Sequence, residues 1–373
     1  MGTKKREINM ATDRGKAEKA LIESSLSYFD IYGETWSCIS EDWDFLSAVK
    51  RVENIARRIG DSEGDPFWVA TDRTGKSRMR ETSFGAAVRR CVETDLVVLA
   101  GDVPYVRTHP YVGLFVRKAT ELEMGEFAAC RPATDYETAS YADALNRFVE
   151  ALRREQQDEE FKKRVKNHAR AANKNYASLI KLIDALQEVY ARLLIIRIDL
   201  GYSVEAGKTV TFGEAASHRN QLFRVKKRTK MFEHLVGSAW KLEYGPYKRF
   251  HFHVILFFDG AAVREDVSIA WIVGEEWRNN ITEGRGIYYN CNSHKGDYKK
   301  CGIGMVHYSD RDAYEGLRMA ATYMAKTDYF TRAELPPGYR VFGRSGLPRR
   351  ESSRGRPREY YFPGVDELEE ERL

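Results

Sequence analysis

The sequence predicts an α+β protein, with a mainly helical N-terminal region followed by a domain built around a central antiparallel sheet flanked by helices. Two observations carry this prediction. Residues 139–188 place apolar side chains at helical spacing, whereas from Leu193 onward short apolar runs of strand length alternate with turns. Several strands with helices packed on them indicate an α+β domain with a mainly antiparallel sheet, and no repeat of fixed period is visible.

The secondary structure of the N-terminal region is the hardest to predict from the sequence. Residues 67–70 and 96–100 are short apolar runs that fit a strand or a piece of helix equally well, because so few residues show no decisive period. Residues 60–66 are rich in glycine and acidic side chains and predict a loop. Residues 139–188 predict helices that serve as a linker and a docking surface. No function follows from this region.

The C-terminal strands are better marked. The run LLIIRID predicts a buried strand that ends at Asp199, and residues 238–243 and 249–258 predict a hairpin around the Gly245-Pro246 turn. A helix over 271–282, short strands at 287–289 and 303–307, and a helix over 314–330 are expected to follow. We predict three parts: residues 1–180, a domain at 181–346, and a basic then acidic tail at 347–373.

Composition limits the function classes. Lys and Arg number 60 against 55 Asp and Glu, so the net charge of +5 permits a polyanionic partner without requiring one. The five cysteines are scattered and odd in number, which argues against a framework of disulfides and indicates a reducing compartment. The apolar runs are strand-sized, and no apolar run follows the basic N-terminus. We therefore expect a cytoplasmic protein with no membrane partner.

The pair His251 and His253 is the sharpest chemical feature. In a strand, residues two apart point to the same face, so both imidazoles are expected side by side. Glu243 precedes the hairpin turn, which can bring its carboxylate across to them. Two nitrogens and one carboxylate oxygen form an open site for Mn²⁺ or Mg²⁺ that handles phosphate. The alternative is that Glu243 is a solvated hairpin residue.

Tyr323 and Lys326 form a second candidate pair. Residues three apart on a helix share a face, so the two side chains are expected to project together. A tyrosine hydroxyl can attack a phosphodiester, and a nearby cation steadies the charge that develops. Taken alone, the pair is equally typical of a half-buried tyrosine beside a solvated lysine.

The order of these motifs resembles the HUH endonucleases that initiate rolling-circle replication. More closely, residues 193–346 look like the replication proteins of filamentous phages and prophages (inovirus type). The resemblance rests on six segments in the expected order: LLIIRIDLGY, WKLEYGPYKRFHFHVILFF, GIYYNCNS, GIGMVHY, YMAKTDYF and RVFGRSG. The N-terminal half has no counterpart in this resemblance.

The resemblance implies roles for individual residues. Glu243, His251 and His253 would hold the metal, Tyr323 would be the nucleophile, and Lys326 would assist it. The expected fold places the His-x-His strand centrally, with the tyrosine helix packed beside it. The products would be a 5′-phosphotyrosine and a free 3′-hydroxyl for a host polymerase. Tyr329 lies six residues after Tyr323 and would point to a different helix face, which favours a single nucleophile, with Tyr329 as the alternative.

Other polar residues carry less specific signals. Asp199 shares a strand face with Arg197 and either supports the metal through a ligand or caps the strand end. Basic strips with Tyr339 and Phe342 nearby suit single-stranded DNA. The DNA-binding candidates are Arg224, Lys226, Lys227, Arg228, Lys230 and Arg344; the run at 224–230 is equally compatible with a solvated face.

Two further patterns are set aside. Cys291, His294, Cys301 and His307 are spaced unlike a zinc finger, so a chance pattern is preferred to a zinc site. Residues 207–209 resemble the end of a P-loop, but the upstream glycine is displaced. The sequence shows no motif of an NTPase or helicase motor, so we expect any helicase to come from the host.

Together these features predict a replication initiator that nicks one strand at an origin by metal-dependent transesterification. The first alternative is a prophage DNA-binding regulator that keeps the fold without cutting. The second is a metal-dependent hydrolase that uses the histidines and Glu243 without a covalent intermediate.

Overall fold

The computed structural model confirms the α+β class. It divides into two compact units: the first holds the part up to residue 176 with 243–250 and 322–341, and the second holds 177–242, 251–321 and the part from 342 onward. Of residues 26–31, 34–39, 225, 326 and 327 only the backbone is described. The structure describes residues 26–31, 34–39, 42–99, 103–125, 133–225, 232–298 and 300–349.

The first unit is mostly helical and carries three two-stranded pairings. Its strands are β1 (Leu26–Ile31), β2 (Glu34–Ile39), β3 (Phe67–Thr71), β4 (Ser77–Glu81), β5 (Val106–Thr108) and β11 (Thr331–Ala333). Its helices are α1 (Asp42–Gly60), α2 (Ser83–Arg90), α3 (Leu96–Leu99), α4 (Pro110–Glu121) and α5 (Asp135–Gln156). A π-helical turn, Cys91–Asp95, joins α2 to α3. β1 pairs with β2, β3 with β4, and β5 with β11.

The two ambiguous apolar runs of this unit separate in the structure. Residues 67–70 belong to strand β3, and most of 96–100 belongs to helix α3. Helix α5 begins with a capping box, in which Thr134 and Glu137 satisfy each other's backbone N–H groups. Its apolar stripe, including Phe148 and Leu152, is buried in the core, as the helical spacing predicted.

The second unit contains the predicted antiparallel sheet of six strands. Helix α6 (Glu159–Val189) crosses the boundary between the units in sequence. The remaining strands are β6 (Arg192–Tyr202), β7 (Leu235–Gly245), β8 (Arg249–Asp259), β9 (Gly286–Asn290), β10 (Gly304–His307) and β12 (Phe342–Arg344). The helices are α7 (Val204–Thr209), α8 (Phe212–Val225), α9 (Asp266–Glu275) and α10 (Arg311–Lys326).

The His-x-His strand lies inside the sheet, as expected. The strand order is β10-β6-β8-β7-β12, and β9 also pairs with β6. β8 therefore has a hydrogen-bonded neighbour on each side, which fixes the direction of its side chains. The prediction that the first strand ends at Asp199 was wrong, because β6 continues to Tyr202 and Asp199 pairs with His253 on one side and Tyr289 on the other.

A buried asparagine completes the outer edge of β6. β10 pairs with residues 192–195 of β6 and β9 with residues 198–202, which leaves a gap between them. Asn292, 1% exposed, lies at this gap. Its Oδ1 accepts the Arg197 N–H at 2.9 Å, and its Nδ2 donates to the Ile195 carbonyl at 2.9 Å and to Asp266 Oδ2 at 2.9 Å. One side chain thus acts as the missing strand segment.

We expect Asn292→Ala to lower the free energy of unfolding by about 2–4 kcal/mol, because it leaves a buried N–H and a buried carbonyl unsatisfied. Urea titration followed by circular dichroism measures this change. Asn280→Ala is the matched control, since Asn280 is exposed and its amide donates only to Glu276 among the bonds described. Equal stability of the two variants would show that water replaces the Asn292 bonds at no cost.

Within the described residues, no helix is both long enough and apolar enough to cross a membrane.

Candidate active site

The hairpin formed by β7 and β8 brings three potential metal ligands together. One ligand atom from each of Glu243, His251 and His253 lies within 4.8 Å of the other two, and all three residues are partly buried. Among the described residues, no other group of three or more His, Cys, Asp or Glu side chains is close enough to share an ion. The grouping that the sequence predicted across the hairpin is therefore present in the structure.

The two imidazoles share one face of β8, as alternation along a strand requires. Their ring centroids are 5.3 Å apart and their planes are nearly perpendicular, at 87°. Phe252, between them in sequence, points to the other side and is 1% exposed. Its ring packs edge-on against Trp240 and Trp277, so the strand cannot rotate without exposing an aromatic cluster.

Asp199 orients one of the two histidines. Its Oδ1 lies 2.7 Å from Nδ1 of His253, directly across the β6–β8 pairing. Burial alone would raise the pKa of Asp199, but the neighbouring charges of His253 and Arg197 outweigh it and lower the pKa to about 2. An ionised carboxylate only accepts hydrogen bonds, so Nδ1 of His253 carries the proton. The lone pair of His253 is then on Nε2, the ring atom that can bind a metal in this tautomer.

We expect Asp199→Asn to weaken Mn²⁺ binding by about 10- to 100-fold, the usual effect of removing a carboxylate that supports a histidine ligand. An amide keeps the size of the side chain but loses the charge that makes the imidazole more basic. Isothermal titration of the full chain with Mn²⁺ measures the change. Unaltered affinity would leave Asp199 as a packing residue of β6.

The tip of the hairpin is anchored by the first residue of α1. The carboxylate of Asp42, 2% exposed, accepts the backbone N–H groups of Tyr247 at 2.8 Å and Lys248 at 3.1 Å. A Cβ at position 245 would lie 2.6 Å from Asp42 Oδ2, so only glycine fits at the end of β7. Tyr105 packs against Tyr244 with ring centroids 5.5 Å apart. These contacts fix the turn that follows Glu243.

The candidate nucleophile lies in the last turn of α10. Tyr323 is partly buried, and Lys326 is the final residue of the same helix; its side chain lies outside the described residues. Tyr329 is not on this helix but in a short 3₁₀ turn, Thr327–Tyr329. The Tyr329 side chain is 6% exposed and its hydroxyl donates to the buried Glu53 at 3.2 Å. A buried hydroxyl committed to a carboxylate is a poor alternative nucleophile.

The DNA-binding candidates are only partly described. Arg224 is exposed near the end of α8, and Lys226, Lys227, Arg228 and Lys230 lie outside the described residues. Arg344, on β12, is partly buried; it donates to Ser178 Oγ at 2.8 Å and to the Ser345 carbonyl at 2.7 Å. These bonds hold its guanidinium against α6. Arg219 stacks over the Trp240 ring at 4.0 Å, a cation–aromatic pair that the sequence did not reveal.

The patterns set aside from the sequence also fail in the structure. Cys291 is buried, and burial raises the pKa of its thiol far above the ordinary range, so it is not a thiolate ligand. His307 bonds to Ser309, and the four zinc candidates do not form a metal group among the described residues. Residues 207–209 end a short helix, α7, and do not form a phosphate-binding loop.

Comparison with models of protein families places part of the chain in a known family. Residues 155–345 match the model of the YagK/YfjJ C-terminal domain, over more than half of the 373 residues. The chain belongs to the YagK/YfjJ C-terminal domain family. This family is associated with prophages. No curated protein and no solved structure matches the chain.

The YagK/YfjJ domain includes every residue of the candidate site. Glu243, His251, His253, Asp199 and Tyr323 all lie within the matched range, which begins before the predicted boundary at residue 181. Two positioning residues were missed from the sequence. Asn292 sits in a polar segment that looks like an ordinary turn, and Asp42 lies outside the YagK/YfjJ domain, far along the chain from the hairpin that it holds.

Proposed function

We propose that this YagK/YfjJ-family protein is a replication initiator that nicks single-stranded DNA at an origin. The cut is a metal-dependent transesterification with Tyr323 as nucleophile. The observation that supports this most is the grouping of Glu243, His251 and His253 within 4.8 Å, with His253 oriented by Asp199. Association of the family with prophages supports it further, because a mobile element needs a way to start its own replication.

The donor set fits a divalent metal that handles phosphate. Two imidazole nitrogens and one carboxylate oxygen suit Mn²⁺ or Mg²⁺ and leave coordination positions for a substrate oxygen. When bound, such an ion polarises the scissile phosphate and offsets the charge that develops during transfer. His253 contributes Nε2 because Asp199 holds its Nδ1 proton, and Glu243 supplies the only negative charge of the three.

The chemistry conserves a phosphodiester bond. The Tyr323 hydroxyl loses its proton and its oxygen forms a bond to phosphorus, while the bond from phosphorus to the 3′-oxygen breaks and that oxygen gains a proton, so no net proton is released. The products are a 5′-phosphotyrosine and a free 3′-hydroxyl, which a host polymerase can extend and to which the strand can later be rejoined. In this proposal, Lys326, one helical turn after Tyr323 on α10, assists by neutralising negative charge at the phosphate.

The test is formation of a covalent adduct. The full chain is incubated with single-stranded oligonucleotides that cover the intergenic DNA of its own element, plus Mn²⁺, and analysed on a denaturing gel. We expect a slower protein band that requires metal. Cleavage without any adduct would favour hydrolysis without a covalent intermediate, and binding without either would favour a regulator that does not cut.

A further inference from the structure

The β3–β4 hairpin of the first unit presents an aromatic and basic surface that the candidate active site does not use. The register pairs Trp68 with Arg80 and Ala70 with Arg78, and side chains alternate between the two faces. Phe67 is 1% exposed and Met79 packs against the core, so their face points inward. Trp68 and Arg80 therefore share the outward face, where Trp68 is 47% exposed.

The hairpin is held firmly against helix α5. The side chain of Asn146 accepts the Phe67 N–H at 3.2 Å and donates to the Phe67 carbonyl at 2.8 Å, at the edge of β3 that pairs with no strand in the described part of the chain. At the other end, the Ser77 N–H donates to Asp135 Oδ1 at 3.0 Å. Contacts at both ends give the outward face a defined position.

In the turn between β3 and β4, the carboxylate of Asp72 accepts several hydrogen bonds, whereas the basic side chains are exposed. Asp72 accepts the N–H groups of Thr74 at 2.9 Å and Lys76 at 3.2 Å, and Arg78 at 3.1 Å. The Thr74 hydroxyl also donates to Asp72, and this bond contributes most to holding the pKa of Asp72 far below its usual range; the other bonds add to the effect. Gly75 closes the turn with a φ of +83°, a conformation in which a residue with a side chain would be strained.

The remaining charge of the hairpin is positive. Its second acid, Glu81, is on the inward face and accepts two bonds from Arg89. Arg73, Lys76 and Arg80 are all exposed, and the Arg78 side chain is 62% exposed beside Asp72. An exposed indole on β3 therefore lies on a surface that carries cations on β4 and at the turn.

We propose that this outward face of the β3–β4 hairpin binds single-stranded DNA, with a base stacked on Trp68 and phosphates held by Arg80 and the turn. An exposed aromatic ring between cations matches a single strand, whose bases offer free faces and whose backbone is anionic. In a duplex the bases are stacked on each other, so an indole gains little. The only large apolar side chain described on this face is the Trp68 ring, which is too little for a stable protein interface.

This surface lies outside the matched YagK/YfjJ domain and would hold the strand independently of the metal centre. Fluorescence anisotropy in EDTA tests it without cleavage. The probe is a labelled mixed-sequence oligonucleotide of roughly 20 nucleotides, longer than a domain of this size usually covers. Wild type, Trp68→Ala and Arg80→Gln are compared over a series of salt concentrations, with the same DNA as a duplex in parallel.

We expect Trp68→Ala to weaken single-strand binding by about tenfold without changing the salt dependence, because a stacked base is lost and no ion pair. Arg80→Gln is expected to reduce the slope of log affinity against log salt by about 0.7, the effect of one phosphate contact. Trp271→Ala and Arg170→Gln are matched controls, because both side chains are exposed elsewhere, and they should bind like wild type.

Wild-type affinity of both hairpin variants would overturn the proposal. Tighter binding of the duplex, unaffected by Trp68→Ala, would overturn the assignment to a single strand. These outcomes are separate from the nicking test. If adducts form but the hairpin variants bind normally, only this surface is wrong; if no adduct forms but binding needs Trp68, only the nicking proposal is wrong.

Discussion

Tyr323→Phe is expected to abolish the covalent adduct and to lower strand cleavage on the order of 10³-fold or more, as loss of a catalytic nucleophile does. The substitution removes one oxygen and keeps the ring, so the packing of α10 is preserved. The reaction is followed with the origin-containing oligonucleotide and Mn²⁺ on a denaturing gel. Mn²⁺ affinity should stay at the wild-type value, because Tyr323 is not one of the three grouped ligands.

Two tyrosine variants make this result specific. Tyr136→Phe is the matched control, since that side chain is 81% exposed, and it should nick like wild type. Tyr329→Phe should retain the adduct, because the Tyr329 hydroxyl is buried against Glu53. An adduct that persists in Tyr323→Phe and disappears in Tyr329→Phe would exchange the roles of the two residues.

The double substitution His251→Ala/His253→Ala is the second large effect. Removing two of three ligands is expected to weaken Mn²⁺ binding by at least about 100-fold. Nicking should fall by roughly 10³-fold, since metal stabilisation of phosphate chemistry amounts to several kcal/mol. Isothermal titration measures the first effect and the gel assay the second.

The matched control replaces two histidines that lie outside the group. His234 is exposed, and His307 bonds to Ser309, so His234→Ala/His307→Ala should keep both metal affinity and nicking. The two double variants remove the same number of imidazoles. If both lose Mn²⁺ binding equally, the metal is held elsewhere and the hairpin group is not the site.

Local patterns predicted the sheet because strand alternation is a short-range property. The runs that became β6 and β8 are mostly apolar, as is typical of strands inside a sheet, and the i, i+2 rule placed His251 and His253 on one face. The short turn between the strands then brought Glu243 within reach. Each of these steps uses fewer than about fifteen neighbouring residues, the range over which periodicity carries information.

Long-range contacts decided what the sequence left open. Residues 96–99 are apolar and partly β-branched, yet they form helix α3, and Leu96 is buried in the core of the first unit. The strand identity of residues 67–71 depends on pairing with β4 and on Asn146, which lies 79 residues away. The extent of β6 beyond Asp199 depends on β9, which comes much later in the chain.

In the candidate site, too, some features follow from local sequence and others from long-range contacts. The candidate ligands could be predicted from one hairpin, but the contacts of Asp199 and Asn292 depend on neighbours across the sheet. Tyr329 was expected on another face of the tyrosine helix; it lies beyond the end of that helix, in the core with Glu53. Spacing alone cannot show where a helix stops when its last turn is replaced by a 3₁₀ turn.

Mapping the attachment point of the DNA on the protein identifies the nucleophile. The adduct formed with Mn²⁺ is trimmed with nuclease, digested with protease and sequenced by mass spectrometry. We expect a single modified peptide that carries a nucleotide phosphate on the oxygen of Tyr323. A nucleotide on Tyr329 or on another residue, or efficient metal-dependent cleavage with no modified peptide, would contradict the mechanism.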